Sequence, residues 1–315
     1  LNKIKSGGFG SVYTVQEKQT KEKYAAKIID SSDIQSQKYV NREIGIMTRM
    51  KHPTIIKFYG YSLTDFYGNK NVTLIMQLAT KGSLAELLSR VQKGLTDANY
   101  DNTARQKILI GIARGMMYLH QHHAVHRDLK PGNILLDDNL EPHITDFGLS
   151  KLINTDDTNN HTQSAGTFIY MAPEVIDIGQ YNGKADVYSF GILMYEVVTD
   201  LFPYPEIQQQ KITTFRLNQK ILNENYRPQF TFPVKPKIKE LIEQCWSGNP
   251  KSRPTFEEIY NRLSRNIEES LYNVFDSNDC QYYLDDVDQE EVLQYVDKIE
   301  NDDDNTKIDL DKFES

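Results

Sequence analysis

The chain has 315 residues, and 36 Lys and Arg against 44 Asp and Glu leave a net charge of −8 at pH 7. Its 39% apolar and 25% charged residues exclude global disorder and fibrous classes, its acidity argues against a whole-chain nucleic-acid binder, and its length suits roughly two domains with a sizeable core. Two cysteines, Cys245 and Cys280, are too few for a disulfide framework, so the reducing cytoplasm is the expected setting, and no apolar run approaches the about 18 residues of a membrane span.

The chain opens on Leu1 with no apolar leader and reads as a piece of a longer protein whose targeting is not visible. Residues 9–16 and 24–29 read as two strands around a charged turn at 18–23, a hairpin. Residues 36–50 carry Val40, Ile44 and Met47 at helical spacing, and Pro53 stops the helix. Strand-like runs follow at 55–63 and 71–78, with Gly68-Asn69 as the turn between them. From Gly82 onward the pattern is helical, at 84–91, 104–120 and 187–199. The last of these is apolar nearly all round, interrupted by Ser189 and Glu196, and is expected to be a central buried helix. The fold class predicted is α+β, with a small β-rich lobe at about 1–79 and a larger helical lobe at about 80–265.

Residues 266–315 differ from the rest. They hold 17 acidic and 3 basic residues, a net charge of −14 that leaves +6 for residues 1–265. Val292, Tyr295, Val296 and Ile299 share one helical face, and Asp288 with Glu291 has the spacing of a capping box, so a short amphipathic helix is expected. Residues 301–305 are too polar and acidic to order. The tail reads as a linker, with docking on the basic lobe or on a partner as the alternative.

Three stretches carry chemistry. The first is Ile4-Lys5-Ser6-Gly7-Gly8-Phe9-Gly10-Ser11-Val12, where glycines let backbone N–H groups approach phosphate oxygens. The second is Ala25-Ala26-Lys27, a cation on a strand of small residues. The third and decisive one is His126-Arg127-Asp128-Leu129-Lys130-Pro131-Gly132-Asn133, followed by Asp146-Phe147-Gly148. Asn133 and Asp146 offer oxygen ligands suited to Mg²⁺ that also binds phosphate. Asp128 can orient a substrate hydroxyl and accept its proton, and Lys130 can neutralise charge on a transferring phosphoryl group.

In motif order the sequence resembles a eukaryotic protein kinase over residues 4–263, which implies the bilobal kinase fold, ATP and Mg²⁺ as cofactors, and protein substrates. By that resemblance Lys27 would hold the α- and β-phosphates and pair with Glu43 from the helix at 36–50, and Gly7, Gly8, Phe9 and Gly10 would cover the phosphates. The hinge, placed by its spacing to Gly82-Ser83-Leu84, puts Met76 at the gatekeeper position. Adenine would then bond the backbone of Gln77 and Ala79, between Val12, Ala25 and Leu135. Gly166-Thr167-Phe168-Ile169-Tyr170-Met171-Ala172-Pro173-Glu174 matches the segment that closes the activation loop, with Glu174 expected to pair with Arg253. Asp186 would cap the catalytic loop. Lys5 stands where the family's first loop glycine would be, which predicts a modest change in nucleotide affinity.

Lys130, Pro131 and Thr167 resemble the serine/threonine subclass, whereas Asp186-Val187-Tyr188-Ser189-Phe190-Gly191 and Cys245-Trp246 look more like tyrosine kinases. The mixture is similar to the tyrosine-kinase-like group, which acts mostly on Ser and Thr, and tyrosine or dual specificity stays as an alternative. Arg127 before Asp128 suggests control by phosphorylation in the loop 149–165, with Thr162 and Ser164 as the candidates. A pseudokinase or scaffold that keeps only the fold is the competing class.

Overall fold

A computed structural model describes residues 2–7, 10–29, 40, 44–95, 99–146, 168–179, 181–264 and 288–301. The α+β expectation holds. The first lobe is one antiparallel sheet made of β1 (Asn2–Gly7), β2 (Gly10–Gln16), β3 (Lys23–Ile29), β4 (Phe58–Ser62) and β5 (Val72–Gln77), in the order β1-β2-β3-β5-β4. The central strand β3 is covered on both faces, which explains its continuous run of small and apolar residues. Its register places Ala25 opposite Met76, and Lys27 between Val12 on β2 and Leu74 on β5. One face of the sheet packs Val15, Tyr24, Ala26 and Ile75 together, while Ile29, Leu74 and Met76 join the main core.

The sequence reading has no strand at 2–7. Asn2–Gly7 is an edge strand, exposed over residues 2–6, whose pairing comes from β2 rather than from any apolar alternation of its own. Of the helix predicted at 36–50, residues 40 and 44–47 are helical and described, and Val40, Ile44 and Met47 are buried in the main core. Glu43 lies outside the described residues.

The second lobe begins with α1 (Leu84–Val91), started by a capping box in which Ser83 Oγ accepts the Glu86 N–H and the Glu86 carboxylate accepts that of Ser83. The long helix α2 (Asn102–Gln121) follows, capped by Asp101. A 3₁₀ turn at Pro131–Asn133 leads into the hairpin β6 (Ile134–Leu136) and β7 (Pro142–Ile144). Then come α3 (Pro173–Ile178), α4 (Gly183–Thr199), α5 (Pro205–Gln208), α6 (Thr214–Asn223), α7 (Pro236–Cys245) and α8 (Phe256–Ser264). Helix α4 is buried along nearly its whole length, as its sequence predicts, and is the post around which the lobe is packed. Two backbone bonds, Lys81 N–H to the Leu136 carbonyl and Leu136 N–H to the Gly82 carbonyl, tie the connection between the lobes to β6.

In the tail, α9 (Gln289–Asn301) forms where the periodicity predicts a helix. Val292, Tyr295 and Ile299 are buried, and Val296 is half-buried against the same core. Among the described residues no helix is long and apolar enough to cross a membrane.

Candidate active site

The loop between α2 and β6 is organised from below by one buried carboxylate. Asp186, in the first turn of α4, accepts the His126 N–H on Oδ2 and the Arg127 N–H on Oδ1, both at 2.9 Å, and lies 2.8 Å from His120 Nε2. Arg127 is held at φ 69°, a left-handed conformation that a large side chain adopts only when its surroundings impose it. His126 adds a second tie. The Asp128 amide donates to its Nδ1 at 3.3 Å, so Nε2 carries the proton that meets the Thr145 carbonyl at 3.1 Å. Burial lowers the His126 pKa against the pull of the nearby carboxylates, which agrees with a neutral ring.

Asp128, Lys130 and Asn133 form one bonded unit. Lys130 Nζ lies 3.0 Å and 2.8 Å from the two Asp128 carboxylate oxygens. Asn133 Nδ2 donates to the Asp128 backbone carbonyl at 2.8 Å and to Oδ2 at 2.9 Å, which fixes the orientation of its amide and leaves Oδ1 for another partner. The five-residue spacing of Asp128 and Asn133 is what the 3₁₀ turn requires to fold the amide back over the loop.

Lys27, buried in β3, forms an ion pair with Asp146 just beyond β7, so the pair joins the two lobes. Burial is the largest single influence on the Asp146 pKa and would raise it, but the charge and hydrogen bond of Lys27 together with smaller neighbouring charges outweigh it and the net direction is down, keeping the carboxylate ionised. An ionised carboxylate and the Asn133 amide oxygen are hard donors that suit a divalent cation. Among the described residues no three His, Cys, Asp or Glu side chains converge on one point, so a cation held here would share its coordination with oxygens of a bound ligand.

The residues expected to enclose adenine lie on the sheet of the first lobe and on β6. Ala25 and Met76 are buried cross-strand partners, Val12 on β2 and Leu135 on β6 are half-buried, and Gln77 and Ala79 lie at the end of β5 and just beyond it. Gly7 and Gly10 are paired residues closing the β1–β2 turn. Gly10 has φ +125°, and a Cβ there would run into the Ile28 carbonyl oxygen, so the sheet itself demands glycine at this position. Gly8, Phe9, Phe147, Gly148, Thr162, Ser164 and Thr167 lie outside the described residues, as does Glu43. The expected ion pair of Glu174 with Arg253 is formed.

One site neighbour goes unassigned in the sequence reading. Glu196, on buried α4, accepts the Tyr170 hydroxyl at 2.7 Å and the Gln92 amide at 3.3 Å, and burial pushes its pKa up to about 7. It lines a cavity of about 370 Å³ beside Lys130, Pro131 and Tyr170. The signal is a carboxylate inside the otherwise mostly apolar run 187–199.

The protein kinase domain family matches residues 1–263. The chain is 28% identical to the serine/threonine-protein kinase STY17 of Arabidopsis thaliana over 269 residues, covering 85% of this chain and 44% of that protein. It is 31% identical to the dual specificity protein kinase shkB of Dictyostelium discoideum over 261 residues, 82% of this chain and 38% of that one. A receptor-like serine/threonine-protein kinase of Arabidopsis thaliana is 38% identical over 203 residues, 63% of this chain and 54% of its own length. The chain thus spans about half or less of these relatives, and over residues 1–263 it belongs to the protein kinase domain family.

Proposed function

We propose that this chain is a catalytically competent kinase domain that transfers the γ-phosphoryl group of Mg·ATP to Ser and Thr hydroxyls of protein substrates. The observation that carries the reading is the bonded unit of Asp128, Lys130 and Asn133 facing an ionised Asp146. Asp128 orients the incoming hydroxyl and takes its proton as the oxygen attacks phosphorus, and Lys130 beside it offsets charge on the phosphoryl oxygens. Asn133 and Asp146 would hold Mg²⁺, which when bound neutralises phosphate charge and orients the nucleotide. Lys27 would hold the α- and β-phosphates. Val12, Ala25, Met76 and Leu135 would enclose adenine, with Gln77 and Ala79 supplying backbone bonds, and Gly7, Gly8, Phe9 and Gly10 would close over the phosphates. Glu43 is the expected partner of Lys27 in the active arrangement. The cavity lined by Lys130, Tyr170 and Glu196 gives a substrate chain room beside Lys130, the ion-pair partner of Asp128.

Arg127 Nε is buried with no hydrogen-bond partner among the described residues, which supports control by a phosphate in the loop 149–165. A free buried thiol at Cys245 suits a reducing, cytoplasmic setting. Tyrosine or dual specificity is the second reading, favoured by the tyrosine-kinase-like motifs of α4 and by the dual specificity relative.

The test is phosphate transfer from Mg·ATP to a generic basic protein, followed by identification of the phosphorylated residue. Phosphoserine and phosphothreonine are expected, with Asp128→Asn lowering kcat at least about 10³-fold, consistent with loss of a catalytic base plus its positioning. Equal activity in the variant would overturn the reading in favour of a scaffold, and phosphotyrosine alone would overturn the specificity.

A further inference from the structure

Helix α9 lies beyond the family match, which ends at residue 263, yet it is seated in the second lobe like a core element. Tyr295 is 4% exposed and Val292 and Ile299 are no more than 2% exposed, all in the main core. The polar rim is bonded as well. Glu291 accepts Lys107 from α2 at 2.7 Å, the Asp288 N–H donates to Thr103 Oγ1 at 2.8 Å, and Glu300 accepts the Tyr260 hydroxyl of α8 at 2.7 Å. Lys298 Nζ reaches both carboxylate oxygens of Glu141, in the β6–β7 turn, at 2.9 Å and 2.7 Å.

The lobe is shaped to receive this helix. Gly111 sits in the interior of α2, where alanine is ordinarily preferred, and a Cβ there would overlap the Tyr295 hydroxyl and come within 2.6 Å of Pro142 Cγ. The glycine is therefore a notch that seats the Tyr295 hydroxyl and the ring of Pro142, the first residue of β7, side by side on α2. Glu141, which Lys298 holds, and Pro142, which shares the Gly111 notch with Tyr295, are neighbours in the chain.

We propose that α9 is a built-in brace of the catalytic lobe. Tyr295 and Lys298 hold the turn end of the β6–β7 hairpin against α2, and so act as positioning residues, through the hairpin, for Asn133, which immediately precedes β6, and Asp146, two residues after β7. The bonds of α9 land on α2, α8 and the hairpin turn rather than on the catalytic loop, so this helix supports the site and does not block it. The catalytic unit then extends to about residue 301 instead of ending near Arg265. The metal-holding role of Asn133 and Asp146 rests on the kinase reading; the clamp itself does not.

The test uses full-length chains: wild type, Tyr295→Ala, Lys298→Glu, Glu141→Lys, and the double variant Lys298→Glu with Glu141→Lys. Amide hydrogen exchange is followed at 134–136 and 143–146, with α4 as the internal reference, first without nucleotide and then with Mg·ADP. The expected result is at least about tenfold faster exchange in the hairpin of Tyr295→Ala and a smaller increase in each charge variant, with α4 unchanged. The double variant should restore protection. The Mg²⁺ concentration giving half-maximal nucleotide binding should rise about three- to tenfold in step. If Tyr295→Ala fails to fold, the pair of exposed Lys298 and half-buried Glu141 and its swap still decide the question. Hairpin exchange unchanged in every variant, or exchange that rises equally in α4, would overturn the brace. A wild type that binds no nucleotide would defeat the kinase reading alone, because exchange without nucleotide reads the clamp directly.

Discussion

The guanidinium of Arg253 and the carboxylate of Glu174 meet as a two-bond fork, Nη1 to Oε1 at 2.6 Å and Nη2 to Oε2 at 2.8 Å, with the Arg253 side chain wholly buried. The same guanidinium donates to the backbone carbonyls of Lys184 and Ser247, so one side chain joins α3, the start of α4 and the segment before α8. Removing it leaves a carboxylate and two carbonyls without their donor. Arg253→Met should cost about 3–5 kcal/mol, the range for breaking a buried pair on one side. Arg253→Lys should recover only part of this, because an ammonium cannot reproduce the planar fork. Urea unfolding with an unchanged slope is the measurement, and a loss below about 1 kcal/mol for Arg253→Met would contradict the burial argument.

Asp186 serves geometry rather than charge. Its two oxygens accept the amides of His126 and Arg127, and asparagine can supply only one acceptor while turning an NH₂ toward the other N–H. Asp186→Asn should therefore let the catalytic loop shift and lower kcat about 10²-fold, with little change in the ATP KM, since the adenine wall stands on other elements. Steady-state kinetics at varied ATP separate the two parameters. A change confined to KM would show that Asp186 does not set the position of Asp128.

How much of this was legible beforehand depends on whether the partners are near in sequence. Asp128, Lys130 and Asn133 lie within six residues, so their spacing already carries their geometry. The face of α9 was legible from the period of Val292, Tyr295 and Ile299, but periodicity says only that a face is buried, not against what. Its seat, Gly111, is 184 positions from Tyr295, and nothing in the residues around it marks it as a seat. Strand β1 escaped for the opposite reason, because a polar edge strand takes its order from its neighbour. Gly10 was read as a phosphate contact, and its backbone shows a second demand, from the Ile28 carbonyl, that no local pattern contains.

That second demand makes Gly10 testable apart from nucleotide. Gly10→Ala must hold φ near +125° with a Cβ pressed on the Ile28 carbonyl oxygen, or else part β2 from β3. Strain of this kind costs about 1–3 kcal/mol, and the first lobe should lose stability even without ligand. Hydrogen exchange of the β2–β3 amides in the nucleotide-free protein is the direct readout. If those amides stay protected and only ATP affinity changes, the requirement for glycine comes from phosphate and not from the sheet.

Glu196 gives the pH prediction. The hydroxyl of Tyr170 and the amide of Gln92 favour its ionised form, but burial is the larger influence and moves its pKa up to about 7. The folded chain then keeps a proton that the unfolded chain releases near the ordinary carboxylate value. Between those two values the folded state binds more protons, so this contribution to stability is present in acid, falls as pH rises through the window, and levels off above about pH 7. A shift of this size corresponds to about 3 kcal/mol across the window. Glu196→Gln keeps an acceptor for Tyr170 and cannot ionise, so it should gain stability relative to wild type as pH is raised from about 5 to about 8. Denaturant unfolding of both proteins across that range tests it, and a difference that does not vary with pH would mean that Glu196 is ionised throughout.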